Sequence, residues 1–168
     1  MAPQIVLIVG KSNSGKTTLV EKLIRELKTR RYTIGSVKHT HDKFDFDKEG
    51  KDSWRHKKAG AAATLVVTDT RVALVKDDDR PYIEKMQDYL CGTDLIIAEG
   101  FKTQALPKIE IFRKDSPHKA PLCLDDPNLT AFVTDSEIQP EVPVFGLEDI
   151  AALTDFVESS FLLPGDRK

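Results

Sequence analysis

The chain opens on a short, continuously apolar run, Gln4–Val9, rich in β-branched residues. Such a run fits a strand covered on both faces, because a half-exposed strand would alternate apolar and polar positions. A Gly/Ser/Asn loop follows, and then the period changes. Leu19, Val20, Leu23, Ile24 and Leu27 recur at helical spacing and predict an amphipathic helix from about Lys16 to Arg31. Thr33–Lys38 reads as a second strand, and Asp52 or Ser53 as the cap of a short helix running towards Ala59. Thr64–Val67 and Arg71–Val75 flank Thr68-Asp69-Thr70 and predict a hairpin. Tyr82–Leu90 reads as a helix with Pro81 at its first turn. Leu95–Ala98 and Ile109–Phe112 read as buried strands, and Ala131–Val133 and Val142–Phe145 as short ones. Asp149–Phe161 closes the chain as a helix with a stripe of Ile150, Leu153, Phe156 and Val157. Strands alternating with helices predict an α/β fold: a mostly parallel sheet with helices on both faces and the antiparallel hairpin at one edge.

Length and composition set bounds on this picture. A chain of 168 residues fits one domain whose core needs no disulfide or metal staple. With 40% hydrophobic and 31% charged residues it is neither disordered nor membrane-spanning in composition. No apolar run approaches the ~20 residues of a transmembrane helix. Met1-Ala2-Pro3 leads into the first strand without the basic region of a secretory leader. Cys91 and Cys123 match no metal-ligand spacing, so two free thiols in the cytoplasm are expected. The net charge of −2 conceals an asymmetry: residues 11–60 carry 14 Lys+Arg against 7 Asp+Glu, and residues 115–168 carry 3 against 11. A basic first third could face phosphate, nucleic acid or a membrane surface, or simply water.

A motif decides among these. Gly10-Lys11-Ser12-Asn13-Ser14-Gly15-Lys16-Thr17 matches G-x-x-x-x-G-K-[ST] at every defined position, after a predicted strand and at the start of a predicted helix. Glycines let the backbone approach phosphate, its N–H groups can point inward, and the helix dipole adds attraction. Lys16 is expected on the β/γ-phosphates, and the Thr17 hydroxyl on Mg²⁺. The pattern predicts a nucleoside triphosphate site.

In an open α/β sheet ligands sit beyond the carboxyl ends of the strands. Glu99, ending an apolar strand before Gly100, resembles a Walker B carboxylate that holds Mg²⁺ or orients an attacking water; the alternative is a solvated strand terminus. Asp52 is a second Mg²⁺ candidate or a helix cap. Lys38 and His39 follow the second strand and suit an anionic pocket. His39, His41 and His56 make only a weak metal signal without Cys or a matching spacing. No N-K-x-D stretch is present to read guanine. Asp135, after Ala131–Val133, could accept from guanine N1 and N2, or could simply hold a turn. Lys22, Arg25, Lys28, Arg30 and Arg31 lie largely off the first helix's apolar stripe and read as solvated. No aromatic platform accompanies the basic block, so nucleic acid is set aside.

These segments fall in a familiar order. The loop Gly10–Thr18, Lys38-His39-Thr40-His41, Gly50-Lys51-Asp52-Ser53, Lys58-Ala59-Gly60-Ala61-Ala62 and Ala98-Glu99-Gly100-Phe101-Lys102 together resemble the molybdopterin-guanine dinucleotide biosynthesis protein B (MobB) family. Lys108-Ile109-Glu110-Ile111-Phe112-Arg113 and Val144-Phe145 with the closing helix extend the similarity from about Ile5 to Phe161. The resemblance implies a P-loop GTP-binding protein with weak GTPase activity, a partner of a molybdopterin guanylyltransferase and of molybdoenzyme maturation proteins. It also implies a homodimer; the residues themselves are what speak against nucleic acid and a membrane as partners. Carried onto this chain, the loop residues are Gly10, Ser12, Asn13, Ser14, Gly15, Lys16, Thr17 and Thr18, with Thr17 on Mg²⁺ and Glu99 as acidic partner. The hairpin near Thr64–Val75 could pair across the dimer, since an exposed strand edge templates pairing.

Two other functions use the same loop. A small-molecule or nucleoside kinase would need a lid with several arginines, and residues 114–168 contain only Arg167. A non-hydrolysing scaffold would use the nucleotide only to order a partner-facing surface. For the GTPase reading, no arginine is evident as a finger, so slow intrinsic turnover is expected.

Overall fold

A computed structural model of the chain describes residues 2–40 and 47–162. Its elements are β1 Gln4–Val9, α1 Lys16–Thr29, β2 Ile34–Lys38, α2 Asp52–Lys58, β3 Ala63–Val67, β4 Val72–Lys76, α3 Tyr82–Tyr89, β5 Leu95–Glu99, β6 Lys108–Phe112, β7 Leu129–Thr134, β8 Val144–Phe145 and α4 Ile150–Phe161. The chain forms two compact units, Met1–His39 with Met86–Lys168, and Thr40–Lys85.

The first unit holds a six-stranded sheet in the order β2-β5-β1-β6-β7-β8, parallel at every pairing. β1 lies inside it with five consecutive buried residues, the covering on both faces that its unbroken apolar run predicts. On one face Val6, Ile8, Leu95, Ile97, Ile109 and Ile111 pack against Leu19, Leu23 and Leu27 of α1 and Leu153 and Val157 of α4. The helical stripes thus meet the odd or even set of each strand, as the period of two requires.

The basic side of α1 is not simply solvated. Arg30 bonds to Glu26, Asp155 and Glu158 and to the Ala151 carbonyl, and Tyr32 donates to the other oxygen of Glu158. Burial opposes the Arg30 charge, but the bonds from Asp155, Glu158 and Glu26 outweigh it and raise its pKa. Lys22 meets Glu148 at 2.7 Å. The acidic last third therefore answers part of the basic first third within the chain, which helical spacing within α1 alone could not reveal.

The opposite face is covered by the end of α3 and by irregular chain. Met86 is buried, and Leu90 and Thr93 lie where a side chain on Gly35 would have to go. β6 sends two charged side chains to this face, Lys108 and Glu110, each 1% exposed. Glu110 accepts from the Leu122 and Cys123 N–H groups. Burial pushes its carboxyl pKa up, against those bonds and the charge of Lys11. Lys108 donates to the Gln104 carbonyl and to Asp126, both at 2.7 Å. These pairs pin the loops on either side of β6, where no helix is available to do so.

The second unit carries α2 and the β3-β4 hairpin. The hairpin forms where expected, but as its own two-stranded sheet and not as an edge of the larger one; its strands pair antiparallel from Ala63↔Lys76 to Val67↔Val72. Lys57 ties α2 to the hairpin's end through the Ala61 carbonyl and Asp77. The helix is capped at Lys51 without a side-chain bond, so neither Asp52 nor Ser53 caps it. Asp52 instead occupies the first turn, where its charge complements the helix dipole. Among the described residues no helix is long and apolar enough to cross a membrane.

The Lys108–Asp126 pair should be felt in stability. The Lys108 ammonium, followed by the Asn128 N–H, lowers the Asp126 carboxyl to about 2. Its folded pKa lies below the unfolded one, so its contribution is present above the ordinary carboxylate range and lost as pH falls through about 2. Asp126→Asn is expected to lower the urea-unfolding free energy by roughly 3 kcal/mol at neutral pH, because Lys108 is left buried without a counter-charge. The difference from wild type should shrink as the buffer approaches pH 2.

Candidate functional site

β1 delivers the chain into a loop that turns directly into α1. Gly10 has φ +146°, and a Cβ there would stand 2.5 Å from the Ile111 carbonyl oxygen and 2.7 Å from Ser14 Oγ. The backbone is therefore pressed against β6 with no room for a side chain. Asn13 adopts φ +63°, a left-handed conformation that asparagine tolerates better than most residues. Gly15, at φ +94°, stands at the N-cap of α1 with no side-chain cap. The first-turn N–H groups of α1 therefore have no side-chain cap to accept from them, and a helix start leaves them without intrahelical acceptors. Ser14 is 2% exposed, and its hydroxyl has no hydrogen-bond partner. Ser12, Asn13, Thr17 and Thr18 are exposed around the loop, and Lys11, Gly15 and Lys16 are half-buried. An uncapped helix start, a glycine-tight turn and an orphaned buried hydroxyl are the features of an anion cradle.

Lys16 Nζ donates to the Lys11 carbonyl at 2.8 Å, which curls its stem over the loop. Burial lowers its pKa, the nearby Glu99 charge opposes that, and Lys38 adds to the lowering. Thr17 Oγ1 donates to Glu99 Oε2 at 3.0 Å, and Lys38 Nζ stands 3.5 Å from Glu99 Oε1. The strand registers explain this meeting. Glu99 pairs with Ile8 of β1 on one side and with Lys38 of β2 on the other. Three strand ends reach the same level, and the helix begins beside them.

After Glu99 the chain reverses through two residues of positive φ, Gly100 at +98° and Phe101 at +58°. A Cβ on Gly100 would stand 3.1 Å from His39 Cβ. Phe101 is 6% exposed, and its ring lies 4.6 Å from that of His39. The His39 N–H donates to the Glu99 carbonyl at 3.0 Å. His39 is thus held beside the acidic strand end by backbone and ring together. Phe101, to which the sequence reading gave no role, supplies the platform; a bulky residue in the left-handed region is strained and marks functional sites.

The structure brings Lys16, Thr17, Lys38, His39 and Glu99 to one end of the sheet. A hydroxyl and a carboxylate in direct contact are hard oxygen donors suited to Mg²⁺, so the residues present fit a magnesium–phosphate group. Asp135 accepts from the Lys114 N–H at 2.6 Å, a bond that ties the chain after β7 to the chain after β6. Asp52 belongs to the second unit, exposed and 3.9 Å from Arg55. His56 also lies on α2, and His41 lies outside the described residues. Among the described residues no three His, Cys, Asp or Glu gather as a metal site. Arg113, to which the motif assigns no role, has its Cδ 3.7 Å from where a Cβ on Gly15 would be. Its only signal is its position one residue beyond β6.

The parallel sheet, the cradle between β1 and α1 and the acidic end of β5 define a P-loop NTPase fold. The sequence pattern of the family described as "Molybdopterin guanine dinucleotide synthesis protein B" (MobB) matches residues 5–135, and the chain belongs to that family. It is 36% identical over 156 residues to the molybdopterin-guanine dinucleotide biosynthesis adapter protein of Haemophilus influenzae, covering 90% of this chain and 86% of that one. It is 37% identical over 152 residues to the Escherichia coli adapter protein, covering 87% and 86%. The crystal structure of Bacillus subtilis MobB superposes with a TM-score of 0.73 at 26% identity, over 96% of this chain and 99% of that one.

Gly10→Ala is expected to destabilise the fold by about 2 kcal/mol or more, since the added methyl forces Ile111 or the loop to move. Chemical denaturation checks this. Gly92→Ala, where nothing lies within 4 Å, should change little by comparison.

Proposed function

We propose that this chain is a GTP-binding adapter with at most slow GTPase activity, serving guanylyl attachment to molybdopterin in molybdenum cofactor biosynthesis. The observation that carries the nucleotide reading is the contact between Thr17 and Glu99 beside the uncapped start of α1. The cellular role follows from the relatives, which are described as adapter proteins of molybdopterin-guanine dinucleotide biosynthesis. In this reading the loop N–H groups and Lys16 bind the β/γ-phosphates. Thr17 and Glu99 hold Mg²⁺ or its waters, and Lys38 and His39 flank the anion. Bound Mg²⁺ supplies charge neutralisation at the phosphates. Glu99 can orient a water, and turnover stays low unless a partner contributes further positive charge. Its partners would be the molybdopterin guanylyltransferase and molybdoenzyme maturation proteins. With Cys91 and Cys123 both free, a reducing cytoplasmic setting fits.

The proposal includes a homodimer formed through the hairpin. Leu65, Val66, Val67, Val72 and Leu74 are 45–65% exposed on a sheet of two strands, and an isolated hairpin is marginal in water. A second copy would cover this surface and its open edges.

Calorimetric titration tests the central part. Wild type is expected to bind GTP in preference to ATP, and Lys16→Ala to bind at least tenfold more weakly, the loss of one charge-assisted contact. ATP preference, phosphate transfer to a small acceptor, or undiminished binding by Lys16→Ala would overturn the reading. For the dimer, Val67→Lys should shift the sedimenting species from twice the chain mass towards the chain mass; a wild-type monomer would contradict it.

A further inference from the structure

We infer that Arg113 is a nucleotide-binding residue that grips the α-phosphate from the β6 side of the loop. The inference rests on the phosphate-loop reading above and adds a contact that the motif does not contain. Sheet order carries it. β1 lies between β5 and β6, so the two flanks of the loop are served by different strands. Glu99 at the end of β5 meets Thr17 on one flank. Arg113 follows β6 on the other, with its Cδ against Gly15, the residue that precedes Lys16.

Its surroundings leave the guanidinium available. Arg113 is exposed, and among the described residues its side chain makes no hydrogen bond or ion pair. Its backbone is fixed on both sides. The Ser116 N–H donates to the Arg113 carbonyl at 3.0 Å, and the Asp135 carboxylate accepts from the Lys114 N–H at 2.6 Å. The stem lies against the loop glycine, and an exposed arginine with no partner for its fork is free to take an anion. In that reading Thr17 and Glu99 take the metal and the β/γ oxygens on the β5 flank, which leaves the β6 flank to the nucleoside end of the phosphate chain. An arginine there meets the α-phosphate, which GTP and GDP share.

The test is titration of GTP and GDP into wild type, Arg113→Gln, Arg113→Lys and Lys16→Ala. Arg113→Gln is expected to weaken both nucleotides by a similar factor of about ten, the scale of one charge-assisted contact. Arg113→Lys should recover part of that loss, and the unfolding midpoint of Arg113→Gln should equal that of wild type. Unchanged affinities in Arg113→Gln, with Lys16→Ala defective, would overturn the inference and leave the loop reading intact. A loss confined to GTP would overturn the α-phosphate assignment. Failure of wild type to bind either nucleotide would overturn both readings together.

Discussion

Everything at the functional end depends on a shared level among parallel strands. Ile8, Glu99 and Lys38 are register partners across β1, β5 and β2. Just beyond them the chain leaves the sheet: after Val9 at Gly10 into the loop, at Gly100 into its reversal, and at His39 against it. A slip of one residue in β5 would turn Glu99 to the opposite face and replace it with an apolar neighbour. Burial prevents such a slip, since Leu95, Ile96, Ile97 and Ala98 are all fully buried. The apolar core thus sets the position of the carboxylate that meets Thr17.

The same sheet solves a second problem on its far side. α1 and α4 cover one face with apolar stripes and with the Arg30–Glu158 and Arg30–Asp155 pairs. The other face has mostly loop to cover it, and loops bring backbone polar groups that need partners. Glu110 and Lys108 answer that need from inside the sheet. β6 therefore does two jobs: its buried charges tether loops, while Ile111 backs the phosphate loop at Gly10 and Arg113 emerges beside Gly15.

Much of this was readable from the chain. Every strand and helix lies within a few residues of its expected place: β1, β5, α1 and α4 through long buried runs and stripes, and α2, which buries no residue, and the exposed hairpin through polar terminus and turn signals. The loop motif is complete in the sequence, and Glu99 stands out as an acid after four apolar residues. Other features depend on distant chain and have no local signature. Lys108 and Glu110 carry no local sign of burial, because the Asp126 carboxylate and the Leu122 and Cys123 N–H groups that meet them lie 12 to 18 residues along the chain. Arg30 reads as one more surface cation until α4 folds beside it. The hairpin's separation from the main sheet is a matter of topology, which alternation cannot encode. Asp135 shows the limit for sites: its placement after β7 was legible, but its engagement with Lys114 was not.

In the function proposed, Thr17 and Glu99 together hold a magnesium-bound nucleotide. The most direct measurement is GTP affinity with and without Mg²⁺, in wild type and in Glu99→Gln. Wild type should bind more tightly with Mg²⁺, and Glu99→Gln should lose most of that gain while binding similarly in its absence. A gain from Mg²⁺ that survives intact in Glu99→Gln would contradict the claim.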